Sequence, residues 1–171
     1  MAYTTPETWA NELVTSAKWT TNLKTNILAL KDPPSDNYEA NEGANYTKTG
    51  TSWGDVDTDF NHSITTTGGA VLISFTGNVS AAGDPTSLAF LDVSVDGTRI
   101  VNQASAGLAV VIGSVNTLVS FSRLVTGLSA GAHTFNLQWA TNSGLVTATM
   151  YAGAGTASYD LHPAFWVREV S

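Results

Sequence analysis

Three aspartates at alternate positions, Asp55, Asp57 and Asp59 in the stretch WGDVDTDFN, have the spacing of the first three ligands of a calcium-binding loop. The required glycine is missing, because Phe60 follows directly, and no glutamate stands at the twelfth position of such a loop. In an extended chain three alternate carboxylates face one way and repel. The motif therefore reads as a solvated strand edge, with a metal site at Asp55, Asp57 and Asp59 as the alternative. His62, His133 and His162 lie roughly 70 and 30 residues apart, without ligand spacing.

Catalytic patterns are no better supported. No serine nucleophile of the Gly-x-Ser-x-Gly elbow type is expected, and Gly127-Leu-Ser-Ala-Gly131 reads as a turn between strands. The chain has no cysteine. Asp84, Asp92 and Asp160 fall in or beside turns, with nothing to bring them together as a glycosidase pair. The glycine-rich AGAGTA lacks the lysine and following helix of a phosphate loop. The expectation is a protein that is not an enzyme and carries no cofactor.

Aromatic residues offer a different chemistry, stacking against a ligand. Trp53, beside a glycine in a polar stretch, Tyr46 in the same stretch, and Tyr151 and Tyr159, near a glycine-rich loop, are the candidates for ligand contact. Trp139 and Trp166 sit in alternating apolar runs and read as core or interface.

Bulk composition sets limits on partners. Of 171 residues only 12% are charged, about half the usual share, and 43% are hydrophobic. The net charge is −7, and seven basic residues provide no footprint for nucleic acid. No apolar run reaches the length of a membrane-spanning helix, and the start MAYTTPETWANE lacks the basic and apolar regions of a secretory signal. Without disulfides, stability must come from core packing and from association.

Three segments follow. Residues 1–34 are expected to form an extended arm and one short helix. Thr15 is a plausible N-cap, and Trp19, Leu23, Ile27 and Leu30 make a single apolar stripe. Pro33 and Pro34 end the helix. A helix this short is marginal alone and needs a surface to lie on. Residues 35–54 read as an acidic polar connector. From 55 to 171 short alternating runs recur: FNHSITTT, AVLISFTG, SLAFLDVSV, then Asp96-Gly97 as a hairpin turn and TRIVN as its return strand. LAVVIG, TLVSFSRLV, AHTFNLQWA, LVTATMY and AFWVREV complete the series, with NVSAAGDPT expected as a loop. The fold class is all-β: an antiparallel, jelly-roll-like β-sandwich of about eight strands.

The opening TPETWANELVTSAKWTTNLKTNILALK, through Thr8-Trp9, Glu12, Val14-Thr15, Asn22, Asn26 and Leu28-Ala29-Leu30, resembles the start of many tailed-bacteriophage virion proteins. The stretches WGDVDTDFNHSITTTGGAVLISFTG, LVTGLSAGAHTFNLQWAT and HPAFWVREV are similar to the β domain that follows it there, a trimeric jelly roll of the C1q and tumour-necrosis-factor type. The resemblance implies a virion structural protein, assembled in the bacterial host cytoplasm, and a homotrimer. The expected role is a capsid decoration or cement protein bound to other virion proteins of capsid or tail. Trp9, Trp19, Leu23, Ile27 and Leu30 would form its attachment and assembly surface. The alternatives are a tail-fibre or receptor-binding protein contacting a host surface glycan, or a carbohydrate-binding β-sandwich module.

Overall fold

A computed structural model describes residues 23, 24, 27, 32–40, 44–153 and 161–170. Twelve strands account for more than half of the described residues: β1 (Ser35–Glu39), β2 (Tyr46–Thr49), β3 (Gly54–Asp55), β4 (Asn61–Thr67), β5 (Ala70–Ala82), β6 (Leu88–Val95), β7 (Thr98–Arg99), β8 (Ala109–Ile112), β9 (Thr117–Val125), β10 (Ala130–Thr141), β11 (Thr147–Tyr151) and β12 (Ala164–Val170).

Strand β5 is the spine of the first sheet. One of its edges pairs with β9, while the other pairs with β12 along residues 70–76 and with β11 along 78–82. Strands β1 and β2 then flank β12 and β11. The second sheet is built on β10, with β3 and β4 on one edge and β6 on the other; β7 and β8 extend β6. Every pairing is antiparallel. The pairs β1–β12, β4–β10, β5–β9 and β6–β8 nest inside one another, and β12–β5 and β10–β6 join them within each sheet. Such nesting is the double Greek-key wrapping of a jelly roll.

Alternation explains which side of each strand goes inward. Val71, Ile73, Phe75, Val79 and Ala81 of β5 face Phe135, Leu137 and Trp139 of β10, with Leu91 and Val93 of β6, across one continuous core. Position 77 in that inward series is glycine. A Cβ there would come within 2.7 Å of the Phe75 ring and 2.9 Å of Pro163 Cβ, so Gly77 lets Pro163 pass between the ends of β11 and β12. The Asp96-Gly97 turn forms as expected, with φ of 50° and 81°, the left-handed pair that matches the twist of a tight hairpin.

Three sequence expectations change. Residues 35–54 are no simple connector, since they contain β1 and β2, which pair with β12 and β11. Their half-buried Tyr38 and Tyr46 pack edge-on against Phe60, at 5.2 and 5.4 Å between ring centroids, and so anchor otherwise polar strands to the core. The loop expected at NVSAAGDPT starts later, because β5 runs on to Ala82 in order to pair with β11. Strand TRIVN shortens to Thr98–Arg99; beyond it the chain folds over β6. Of the expected arm and helix, Trp9, Trp19 and Leu30 lie outside the described residues. Leu23, Lys24 and Ile27 have helical backbone.

Candidate assembly surface

The two lateral sides of the sandwich differ. On one side His62 of β4 closes the gap between sheets. Its Nδ1 lies 3.1 Å from Asp36 Oδ2 of β1, its Nε2 lies 3.2 Å from the Phe165 carbonyl of β12, and its ring stacks on Phe165. The other side is formed by β8 and β9, which among the described residues pair only inward, with β6 and β5. Here large aliphatic side chains face solvent: Val110 at 48% exposure, Ile112 at 68%, Val115 at 73% and Leu118 at 67%. Leu124 and Leu72, directly paired across β9 and β5, continue the apolar surface onto the outer face of the first sheet, where Trp166 of β12 is 53% exposed. Between them lie hydroxyls, with Ser74 and Ser122 hydrogen-bonded at 2.9 Å. An open edge strand of nine residues with one charge, Arg123, is a ready template for association.

The sequence-derived candidates are spread over the molecule. Leu23 and Ile27 are 38% and 52% exposed. Trp53 lies over the outer face of the second sheet. Arg99 covers its ring at 3.9 Å, Phe90 packs at 6.4 Å, and its Nε1 donates to the Ala104 carbonyl at 3.2 Å. Tyr151 stands on the other sheet, its hydroxyl 3.2 Å from Ser80 Oγ. The two therefore form no shared platform, and Tyr159 lies outside the described residues.

The aspartate triplet is parted by local structure. Asp55 accepts from the amides of Asn61, Asn136 and Gln138, whereas Asp57 caps a 3-10 turn (Thr58–Phe60) by accepting from the Asp59 amide. That turn removes the alternation the calcium reading needed. No group of three acidic, histidine or cysteine side chains among the described residues is arranged to hold a metal ion.

One correction concerns Gly127-Leu-Ser-Ala-Gly131, whose letters do match a nucleophile elbow. It joins β9 to β10, with no helix after it. His133 lies near, with Asp96 Oδ2 2.7 Å from its Nδ1, but the Ser129 atom at its Nε2 is the carbonyl oxygen, at 2.9 Å. Both ring nitrogens thus face acceptors and both are best satisfied as donors. The bond to Asp96 is the main cause that raises the His133 pKa above its ordinary 6.5. With its Nε2 on the Ser129 carbonyl, the imidazole is not placed to take a proton from the serine hydroxyl.

Sequence reasoning did not identify a buried polar centre beneath the loop after β7. Asp92 of β6 is fully buried. Its Oδ1 accepts from the Val93 amide at 2.8 Å, and its Oδ2 accepts from Val101 at 3.2 Å and from Arg99 Nη1 at 3.3 Å. Burial raises its pKa, and the backbone amides of Val93, Val101 and Asn102 together with Arg99 pull the other way. Arg99 also donates to the carbonyls of Gln103 and Ala106, which ties the loop down against Trp53. Asp92, Arg99 and Trp53 form a structural clamp.

No protein-family model matches the chain, and no curated protein sequence does. Among solved structures, T=1 particles derived from infectious bursal virus align at 10% identity with a TM-score of 0.46, over 82% of this chain and 37% of that one. The infectious bursal disease virus VP2 subviral particle aligns at 14% identity and TM-score 0.44, over 82% and 38%. Carbohydrate-binding module CBM36, in complex with calcium and xylotriose, aligns at 12% identity and TM-score 0.35, over 79% and 99%. The chain spans little more than a third of the length of the two viral chains it matches.

Proposed function

We propose that this protein is a structural component of a tailed-phage virion, a trimeric capsid decoration protein whose amino-terminal segment takes part in attachment. The observation that carries the assembly reading is the uncovered aliphatic edge of β8 and β9, beside a face poor in charge. A fold whose opposite side is closed by His62 leaves this edge as the natural place for a second copy. The sequence resemblance of the amino-terminal stretch supplies the phage context. Trp53 and Tyr151, on opposite sheets, give the carbohydrate-binding alternative no common platform.

The test is the solution mass of the full-length protein by light scattering, compared with Leu118→Asp and Ile112→Asp. A mass three times the 17.9 kDa of one chain is expected. Burying a leucine is worth about 1.5–3 kcal/mol, so each charged substitution should weaken assembly at least tenfold. A 17.9 kDa species at all concentrations, or variants that assemble like the parent, would refute the reading.

A further inference from the structure

Trp166 stands as a ridge between two shallow depressions on the outer face of the first sheet. One, of about 260 Å³, is walled by Asp32, Pro33 and Asn37 as well as Trp166. The other, of about 480 Å³, is bordered by Leu72, Ser74, Thr76 and Arg168. With Leu72 39% exposed and Leu124 49% exposed, the face presents apolar side chains set among hydroxyls, with Arg168 beside Trp166 and the carboxylates of Asp32 and Asp36 confined to the smaller depression.

The chain itself holds a segment of matching character. Thirty-one residues precede Asp32, and their apolar stripe of Trp19, Leu23, Ile27 and Leu30 ends two residues before the wall of the smaller depression. The Glu169 amide bonds the Pro34 carbonyl at 2.9 Å, which fixes the point where this segment joins the sheet beside β12. A helix of fifteen residues is about 22 Å long. Four strand rows at about 4.8 Å spacing span roughly 14 Å between outer axes, so such a helix would cross the whole face. Yet Leu23 and Ile27 of the same chain remain exposed, at 38% and 52%. Leu23, Ile27 and the face around Trp166 are thus each exposed within one copy.

We propose that the face around Trp166 receives the amino-terminal segment of a second copy, so that subunits exchange these segments. The inference rests on the assembly reading above and adds to its β8–β9 edge a second contact, on the neighbouring face of the first sheet. A segment of one copy on the sheet of the next is a head-to-tail contact, which closes into a ring when the rotation between subunits allows it.

The absence of cysteine makes the test direct. Full-length Ile27→Cys, Leu72→Cys and the double variant are treated with a short bis-maleimide and run on a denaturing gel. Covalent multiples of the chain are expected in the double variant alone. Three results would overturn the proposal: a single-chain species with both thiols consumed, multiples from Ile27→Cys by itself, or two unlinked thiols in the double variant. In a second measurement, Trp166→Ala should raise the concentration for half-assembly about tenfold or more, and an unchanged value would count against the proposal. If the native mass stays a multiple while linking fails, the exchange falls and self-assembly stands. If the mass is that of one chain, both fall.

Discussion

Removing the Asp92 carboxylate tests whether the clamp over the second sheet holds its loop as the geometry implies. In Asp92→Ala, Arg99 Nη1 and the amides of Val93 and Val101 lose a shared acceptor in a site where the carboxylate is 0% exposed and Arg99 12%. Breaking a buried ion pair from one side costs about 3–5 kcal/mol. Asp92→Asn keeps the shape, but turns an amide nitrogen toward one set of donors, and should cost about 1–3 kcal/mol. Arg99→Met is the sensitive partner. Burial already raises the Asp92 pKa, and loss of the guanidinium raises it further. An acid whose folded pKa is raised destabilises the fold as pH climbs from its ordinary 3.8 through the folded value, so this variant should lose most stability relative to the parent above that range. Urea unfolding at fixed protein concentration would show shifted midpoints with unchanged slopes. If Asp92→Ala falls within about 0.5 kcal/mol of the parent, like an ordinary surface change, the clamp is not what holds the loop.

Two further outcomes are expected. His133 should titrate above 6.5 by NMR, its proton held by the bond to Asp96, while that bond lowers the Asp96 pKa below 3.8. The pair then stabilises the fold fully between about pH 4 and 6.5. Its contribution fades as pH rises through the His133 value, and again as acid protonates Asp96. The stability lost in Asp96→Asn should follow that profile, and a loss unchanged from pH 5 to 9 would contradict it. Gly77→Ala should cost about 1–3 kcal/mol through overpacking, because the new methyl meets the Phe75 ring and Pro163. A thermal midpoint matching the parent's would show that Pro163 yields.

Where alternation and turn chemistry act together, strands can be read straight from the chain. TLVSFSRLV and AFWVREV coincide with β9 and β12, and Asp96-Gly97 makes its tight hairpin. The strands that escaped reading are SDNYE and YTKT. Each offers one aromatic ring to the core and otherwise shows polar residues, because it pairs at the margin of a sheet. The continuation of β5 past Gly77 was hidden in the same way, since Asn78 turns outward. In AFWVREV the period predicts two faces without saying which is inner. Phe165 and Val167 go in, and Glu169 goes with them because its Oε1 accepts the amides of Thr67 and Gly69 and the Thr67 hydroxyl. Trp166 is thereby turned out. The exposure on which the assembly surface depends was thus decided by a glutamate made tolerable in the interior by three donors. No pattern of apolar residues carries that information.

That same outward face bears on how the sheet edges are protected. A jelly roll ends each sheet in edge strands, and proteins commonly blunt such edges with charge, proline, bulges or short length. Strand β7 here is two residues long and the β1 side is bridged by His62. Strand β9 has nine residues, no proline and only Arg123 for charge, with Leu118 and Leu124 turned to solvent. The net charge of −7 repels copies in general, yet β9 itself carries only Arg123 to oppose pairing at its edge. A surface of hydroxyls and aliphatics is poor protection for a monomer, but it costs little to desolvate in a complex. The long β9 edge, with one charge and exposed aliphatic side chains, is the main physical support for the proposed assembly of copies.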